Sequence, residues 1–226
     1  MTEQKIKFGE RIVNKFIEMI ISRLINVQKL QVRVKATWTK LIKGELDGLI
    51  IEMYGFLLRK NLRVSEFCFD IGPSAVNLER IKQRKIELLY PAEGTVKMVI
   101  TQAELTPTIE TKLDNFPLTS INCLLENNQL NIKIQWMDEG ENLSVNCVTR
   151  PKITIDKNSV ILEKWEIEGQ KLPDEMINII SEEMGEIFSL IDVSNQGTKF
   201  QIENIDITSG KLTLNAKSYI DNFPSN

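Results

Sequence analysis

The chain has 226 residues, of which 42% are apolar and 26% charged, a composition typical of globular rather than disordered proteins. It contains no histidine, which excludes a Ser-His-Asp triad and removes the commonest general base and metal ligand. The net charge is −3, but residues 1–100 carry 18 basic and 11 acidic side chains, and residues 101–226 carry 10 basic and 20 acidic ones. This asymmetry favours either a basic side that faces an anionic membrane or halves that interleave, so that the charges average out.

The cysteines and the N-terminus bear on the compartment. Cys68, Cys123 and Cys147 match no zinc-ligand spacing, and an odd number does not indicate a disulfide framework. Cys147 is in phase with Leu143 and Val145, which predicts a small buried apolar side chain. No run of about 18 apolar residues could span a bilayer, and charges interrupt the N-terminal apolar residues as they would not in a signal peptide. We expect, unless a leader has been removed, a reduced cytoplasmic protein that can lie peripherally on a membrane.

The first predicted element is a helix over residues 5–26. Its apolar residues come in adjacent pairs every four positions, and each pair is rotated by roughly 40° from the last because a helix turns by about 100° per residue. The apolar stripe therefore winds around more than half of the circumference, which predicts a helix enclosed on most sides by other parts of the protein. The pairs are Ile12/Val13, Phe16/Ile17, Ile20/Ile21 and Leu24/Ile25, and the polar strip consists of Arg11, Lys15, Glu18 and Ser22.

An alternation with a period of two follows the helix. Residues 30–36 predict a half-buried strand. Short connections such as Lys60-Asn61 are typical of hairpins and favour an antiparallel meander. Further strands are predicted at residues 48–59, 62–71, 75–81, 86–89 and 94–100.

A short helix is predicted to begin after Thr101. Thr101 and Glu104 form a capping-box pattern. The Thr106-Pro107 step either restarts or kinks this helix, and its end is expected near residues 113–115.

The second half of the chain repeats the order of strands, helix and strands. Strands that run in groups, rather than alternating singly with helices, predict an α+β protein with an antiparallel sheet. No Pro-, Gly- or Ser-rich linker divides the sequence, so we expect one domain over residues 1–226. The predicted elements are strands at 121–126, 129–137, 142–149, 152–156 and 159–169, an amphipathic helix at 173–191, and strands at 199–207 and 211–220.

Motifs of the common enzyme classes are missing from the sequence. It contains no Walker loop, no Gly-x-Gly-x-x-Gly and no Gly-x-Ser-x-Gly. The carboxylate pairs Glu182/Glu183 and Asp138/Glu139 fall on a predicted polar helix face and in a predicted turn, whereas a catalytic pair needs a shielded cleft. The sequence therefore predicts no catalytic residue, no metal site and no cofactor.

A basic cluster at residues 80–85 lies between two predicted strands. It is typical of a solvated loop, of contact with phosphate head groups, or of nucleic-acid binding, but the pI of about 5.3 argues against the last of these. A membrane-binding role would also use the basic residues of the N-terminal helix to steer the protein towards anionic lipid. The predicted membrane or head-group contacts are Lys5, Lys7, Arg11, Arg80, Lys82, Arg84 and Lys85.

Large apolar side chains recur along the chain. Such side chains either pack together in a dry core or line a cavity for acyl chains. The predicted lining of such a cavity is Ile12, Phe16, Ile20, Leu24, Phe56, Phe67, Phe69, Met98, Ile100, Trp136, Met184 and Phe188.

One stretch resembles a known family. Residues 30–49, LQVRVKATWTKLIKGELDGL, resemble the opening of the bacterial LmeA-like phospholipid-binding family, with an alternating strand, a Lys-Leu-Ile-Lys-Gly-Glu-Leu-Asp segment and another strand. Residues 100–105 resemble the family's Leu-Thr-Glu-x-Asp-Leu step, and Phe223-Pro224 closes the match, so that it covers nearly the whole chain. Two features depart from the family: Thr106-Pro107 stands where the helix usually continues through Asn, and the export signal or anchor of members that act outside the cytoplasmic membrane is not seen.

The resemblance implies a tubular lipid-binding architecture, in which a strongly curved antiparallel sheet wraps around a long N-terminal helix. It also implies non-enzymatic binding of phospholipid or another acyl-chain ligand in an apolar cavity at a membrane surface, and it supplies no catalytic residues. The alternative is a protein–protein interaction or scaffold module with a dry core and no ligand. An enzyme is the third candidate, and a nucleic-acid partner is not expected.

Overall fold

The structure is a computed structural model that describes residues 14–15, 17–19, 22, 27–58, 62–82, 87–188 and 197–221. Within these residues we number twelve strands and four helices. The strands are β1 (Lys29–Lys35), β2 (Glu45–Leu46), β3 (Gly48–Leu57), β4 (Arg63–Ile71), β5 (Ser74–Ala75), β6 (Ala92–Thr101), β7 (Leu118–Glu126), β8 (Gln129–Asp138), β9 (Glu141–Ile153), β10 (Val160–Gly169), β11 (Thr198–Thr208) and β12 (Lys211–Ile220). The helices are α1 (Trp38–Leu41), α2 (Leu78–Lys82), α3 (Gln102–Lys112) and α4 (Asp174–Phe188).

The described strands form a large sheet, a smaller sheet and one short pair. The large sheet has six strands in the order β1-β3-β4-β6-β12-β11, and the second has four in the order β10-β9-β8-β7. β2 pairs with β5 in the two-stranded sheet. All of these pairings are antiparallel, so the predicted α+β class with antiparallel sheets is confirmed. The strand order leaves β1 and β11 as edges, and the six-stranded sheet is open.

One face of the six-stranded sheet is apolar. Directly opposed residues of antiparallel strands lie on the same face of a sheet. One such row of apolar residues crosses all six strands. We call the face that carries this row, and the residues in phase with it, the apolar face. The row runs across all six strands as Val32, Ile51, Phe69, Val96, Ala216 and Ile202. The alternate positions include Arg33, Glu52 and Lys97, so the other face is polar.

The four-stranded sheet buries its own apolar side under two helices. α3 contacts β7, and α4 contacts β10 and α3. Leu105 and Ile109 of α3 are buried, as are Met176 and Ile180 of α4. This half of the protein is therefore a layer of helices on a layer of sheet.

α3 begins as the sequence predicts. The carboxylate of Glu104 accepts hydrogen bonds from the backbone N–H of Thr101 at 2.9 Å and from its hydroxyl at 3.0 Å, within a capping box. The hydroxyl of Ser65 on β4 donates to the same carboxylate oxygen, which ties the helix to the six-stranded sheet. The helix runs through Pro107 without a restart and ends at Lys112.

Two predicted strands between β4 and β6 are wrong. Residues 75–81 contain the end of β5 followed by α2, and residues 86–89 contribute one isolated bridge, between Val76 and Leu88. The side chain of Asn77 explains the helix, because its Oδ1 accepts hydrogen bonds from the N–H groups of Glu79 and Arg80 at 3.1 and 3.4 Å. A capping side chain of this kind favours a helix start over a strand.

β9 is one strand where the sequence predicts two, separated near Pro151. Proline lacks an N–H group and is tolerated where a strand has a neighbour on one side only. Pairing of β9 with β8 stops at Thr149, and Pro151 is opposite Leu162 of β10. The strand therefore continues through the proline as an edge.

Most of the predicted N-terminal helix lies outside the described residues. The six described positions between residues 14 and 22 are helical, which does not establish the predicted length of residues 5–26. Among the helices that the structure describes, none combines the length and the apolar composition needed to cross a bilayer.

Candidate functional site

Four phenylalanine rings form a continuous series. Three of them, Phe67, Phe69 and Phe200, lie on the apolar face. The ring centroids are 5.7 Å apart for Phe56–Phe67, 6.5 Å for Phe67–Phe69 and 6.2 Å for Phe69–Phe200. The first two pairs meet edge to face, the arrangement that aromatic pairs prefer. Phe56 and Phe200 are buried, whereas Phe67 and Phe69 keep part of their surface exposed although β4 is an inner strand.

The contact between Phe69 and Phe200 requires the face to be concave. β6 and β12 lie between their strands, and neighbouring strands are about 4.8 Å apart, so a flat sheet would separate the two backbones by about 14 Å. The residues that continue the row of Phe200 across the two inner strands are small: Ser218 is opposite Phe200, and Gly94 is opposite Ser218. A Cβ atom on Gly94 would lie 2.6 Å from the carbonyl oxygen of Asp70 and 2.9 Å from Oγ of Ser218, so the curved backbone leaves no room for a side chain there.

The hydroxyl of Ser218 is a polar group on the apolar face. Ser218 is 1% exposed, and its Oγ has no hydrogen-bond partner among the described residues. A buried polar group left without a partner costs about 1–3 kcal/mol. A water molecule or a polar atom of a ligand would remove that cost.

The N-terminal helical residues lie along the edge strand β1. Oδ1 of Asn14 accepts a hydrogen bond from the N–H of Val34 at 2.9 Å, and Oε1 of Glu18 accepts one from the N–H of Val32 at 3.2 Å. Four helical residues rise by about 6 Å and two strand residues span about 6.6 Å, so the two spacings match. Ile17 is buried in the core between them. The two side chains therefore replace a neighbouring strand at this edge.

The predicted lining residues are only partly brought together. Met98 is fully buried opposite Phe67, and Ile100 lies two positions further along the same face. Trp136 lies on β8 of the four-stranded sheet, opposite Leu143, and not on the apolar face. The side chains of Ile12, Phe16, Ile20, Leu24, Met184 and Phe188 lie outside the described part of the chain.

The site also contains residues that the sequence did not single out. Phe200, Gly94 and Ser218 come together because the β11–β12 hairpin pairs with β6, a contact between distant parts of the chain. The alternation in residues 199–220 was the one usable signal, because it places Phe200 and Ser218 in phase with buried apolar neighbours.

The predicted basic contacts fall mostly outside the described residues. Arg80 is exposed and forms an ion pair with Glu87 at 2.9 Å. Lys5, Lys7, Arg11, Arg84, Lys85 and the side chain of Lys82 lie outside the described part.

Two buried thiols have the largest pKa shifts among the described residues. Burial raises the pKa of the Cys123 and Cys147 thiols to about 11, so both are protonated at neutral pH and lack the thiolate that a nucleophile needs. Cys147 is fully buried, as predicted. The described residues hold no group of three side chains suited to a metal ion.

One carboxylate lies elsewhere than predicted. Glu183 is buried and forms an ion pair with Lys112 at 2.8 Å, because α4 turns this side chain towards α3. Glu182, Asp138 and Glu139 are exposed. The prediction of a polar, exposed helix face is therefore wrong for Glu183, whose carboxylate joins two helices instead.

Comparison with known proteins identifies the family. The family model described as LmeA-like phospholipid-binding matches residues 7–217, a range that includes both large sheets almost entirely. No curated protein and no solved structure matches the chain. Because this match covers most of the chain, the chain belongs to the LmeA-like phospholipid-binding family.

Proposed function

We propose that this protein binds a phospholipid or another acyl-chain ligand on the apolar face of the six-stranded sheet. The observation that carries the proposal is the partial exposure of Phe67 and Phe69 in the middle of a face whose neighbouring residues, such as Met98 and Val96, are buried. Membership of a phospholipid-binding family supports the class of ligand. An acyl chain on this surface would gain about 0.8 kcal/mol for each methylene group removed from water.

The buried hydroxyl of Ser218 supports an orientation for the ligand. It would donate a hydrogen bond to an ester or phosphate oxygen, and the acyl chain would then run along Phe69 and Phe67. The rings of Phe69 and Phe200 would then cover the acyl chain near the polar end of the ligand. Ser218 thereby gains the partner that it lacks among the described residues.

In this proposal the N-terminal helix forms the second wall of the site. Ile17 already packs into the core, and Asn14 and Glu18 attach the segment to β1. The sheet would curve around a helix of the predicted length, residues 5–26. The lining would then include the predicted residues Ile12, Phe16, Ile20 and Leu24 beside the rings of β4.

The proposed mechanism is binding and release without a chemical step. The ligand would be held by burial of its acyl chains and by the one hydroxyl, so no bond in it is made or broken. The buried thiols of Cys123 and Cys147 are protonated, so neither would supply a nucleophile in this mechanism.

The test is native mass spectrometry of the purified protein beside an organic extract of the same sample. We expect an added mass equal to that of a lipid found in the extract. The variants Phe67→Gln and Phe69→Gln should carry less lipid at an unchanged fold, checked by thermal unfolding. Leu124→Gln is the matched control, because Leu124 is 40% exposed on β7 and does not lie on the apolar face.

Two results would count against the proposal. A ligand-free mass with no extractable lipid and no uptake from vesicles would overturn it. A stoichiometric protein partner in place of lipid would favour the alternative, an interaction module with a dry core.

A further inference from the structure

Five large apolar side chains are exposed in the segments that join β1 to β3 and β4 to β6. We call residues 37–47, 72–82 and 87–91 the tip. Between 36% and 59% of the surface of each of these side chains is exposed. They are Trp38, Ile42, Leu78, Leu89 and Tyr90.

Backbone hydrogen bonds join the segments of the tip to one another. Beyond the β2–β5 pairing, the carbonyl of Gly44 accepts a hydrogen bond from the N–H of Val76 at 2.8 Å, and the N–H of Leu89 donates to the carbonyl of Ala75 at 2.8 Å. Gly44 has φ +78°, and a Cβ atom on it would lie 2.4 Å from the carbonyl oxygen of Val76 and 3.2 Å from the side chain of Leu78. The exposed apolar side chains are therefore held in place by backbone contacts.

The tip lies at the end of the six-stranded sheet that carries Ser218. β1 ends at Lys35 opposite Gly48, and β12 ends at Ile220 opposite Ala92, where the tip segments leave the sheet. Ser218 is two residues from that end of β12. The four-stranded sheet joins the other end of the β11–β12 hairpin, where the N–H of Gly210 donates to the carbonyl of Leu125 at 2.8 Å.

The balance of charged side chains differs between the tip and the four-stranded sheet with α4. The tip contains four basic and four acidic side chains. Two of the acidic residues are paired inside the tip, Asp47 with Lys40 and Glu87 with Arg80. By contrast, residues 118–169 contain eight acidic and five basic side chains, and α4 contains five acidic and no basic ones. An anionic surface would therefore repel the four-stranded sheet with α4 more strongly than the tip.

We propose that the tip docks the protein onto the surface of an anionic phospholipid bilayer. Trp38 and Tyr90 suit the head-group region, because each combines an apolar ring with a polar group. Ile42 and Leu89 would enter the boundary of the acyl chains, and basic residues around them, such as Lys43, would contact lipid phosphates. The inference extends the proposed function, because docking would bring the Ser218 end of the apolar face to the membrane from which a lipid is taken.

The first experiment is flotation with vesicles of phosphatidylglycerol and phosphatidylcholine, compared with vesicles of phosphatidylcholine alone. The wild type should float with the anionic vesicles, and added salt should release it. The tip variant Trp38→Ser/Ile42→Ser/Leu89→Ser should bind at least about tenfold more weakly. The matched control is Ile155→Ser/Ile161→Ser/Ile167→Ser, which removes exposed apolar side chains from β10 and the β9–β10 turn.

The controls decide between the tip and general surface hydrophobicity. Equal binding by the tip variant and the wild type would overturn the proposal, as would an equal loss in the control variant. Thermal unfolding of both variants checks that they are folded. A direct readout is quenching of tryptophan fluorescence by vesicles with brominated acyl chains: Trp38→Phe should still bind but should no longer be quenched, because Trp136 is buried and the half-buried Trp165 lies on β10 of the four-stranded sheet, away from the tip. Undiminished quenching in Trp38→Phe would contradict insertion of the tip.

Different experimental results would contradict the acyl-chain site and docking by the tip. Wild-type protein that floats with anionic vesicles but never carries extractable lipid contradicts the acyl-chain site alone. Protein that carries lipid but does not float contradicts docking by the tip alone.

Discussion

The rings of Phe69 and Phe200 lie 6.2 Å apart, although β6 and β12 separate their strands. Ser218 is opposite Phe200 and Gly94 is opposite Ser218, so two small residues adjoin Phe200 on the inner strands. The small side chain of Ser218 and the lack of one at Gly94 leave space on the face beside Phe200. The contact between the two rings lies near the end of the apolar face that is nearest the tip, where the proposed ligand would have its polar group.

Gly94 should tolerate no side chain. In Gly94→Ala the new Cβ would meet the carbonyl oxygen of Asp70 and Oγ of Ser218, and such overpacking costs about 1–3 kcal/mol of the free energy of unfolding. Urea unfolding measures the loss. Gly185→Ala is the control, because on α4 its Cβ would meet only the carbonyl oxygen of Val160, at 3.9 Å. That change should stabilise the protein by up to about 1 kcal/mol, so a loss of stability in both variants would contradict the argument.

Asn14 and Glu18 should protect two particular amides of the edge strand. Asn14→Ala and Glu18→Ala remove the acceptors of the Val34 and Val32 N–H groups, and each should cost about 1 kcal/mol. Hydrogen exchange should become faster at Val34 in the first variant and at Val32 in the second. The amide of Arg33 should change little in either, because alternate N–H groups of an edge strand point to its paired neighbour, here β3.

The neighbouring residue Lys15 supplies the control for the edge contacts. Its side chain is exposed, so Lys15→Ala should leave the exchange of Val32 and Val34 unchanged. Equal exchange rates in all three variants would show that the helical residues do not cover the edge in solution.

Local patterns in the sequence predicted local features of the structure well. The alternation of residues 211–220 predicted β12 with its observed bounds, because one face of that strand is buried and the other is not. The Thr101–Glu104 pattern predicted the start of α3 because the capping contacts lie within one turn. Phe67 and Phe69 are both in the predicted lining, and their spacing of two residues on one strand places them on one face.

Features that depend on distant pairing could not be predicted from one sequence. Phe200 and Ser218 join the site only through the pairing of β12 with β6, which no local period reports. Trp136 was grouped with the phenylalanines because an aromatic residue does not indicate which sheet it will join. Trp38 and Ile42 were missed for a related reason: an apolar residue that stays exposed in the tip looks in sequence like one that enters the core.

The buried thiols should make the protein less stable at alkaline pH. Burial raises the pKa of Cys123 and Cys147 to about 11, whereas a thiol in the unfolded chain has a pKa of about 8.5. As the pH rises above that value the unfolded chain loses these protons first, so stability is full below about pH 8.5 and falls until about pH 11. The loss should reach at most about 3 kcal/mol for each thiol. Urea unfolding at pH 7, 9 and 10 measures it.

A double variant isolates the contribution of these two thiols. Cys123→Ala/Cys147→Ala should have a flatter dependence of stability on pH than the wild type. Cys68→Ala should keep most of the wild-type slope, since Cys68 is partly exposed. Parallel curves for the wild type and the double variant would show that other groups cause the alkaline loss.

Ser218 and Thr149 should respond oppositely to loss of their hydroxyl groups. Both are buried, but the hydroxyl of Thr149 donates to the carbonyl of Glu163 at 2.9 Å, whereas Oγ of Ser218 has no partner among the described residues. In delipidated protein Thr149→Val should lose about 1 kcal/mol of the free energy of unfolding, and Ser218→Ala should be neutral or stabilising, because it removes an unsatisfied polar group. If a ligand oxygen accepts the hydrogen bond of Ser218 in the loaded protein, Ser218→Ala should also retain less phospholipid than the wild type in native mass spectrometry. A Ser218→Ala protein that is destabilised without lipid and loads like the wild type would show that this hydroxyl supports the fold and not the ligand.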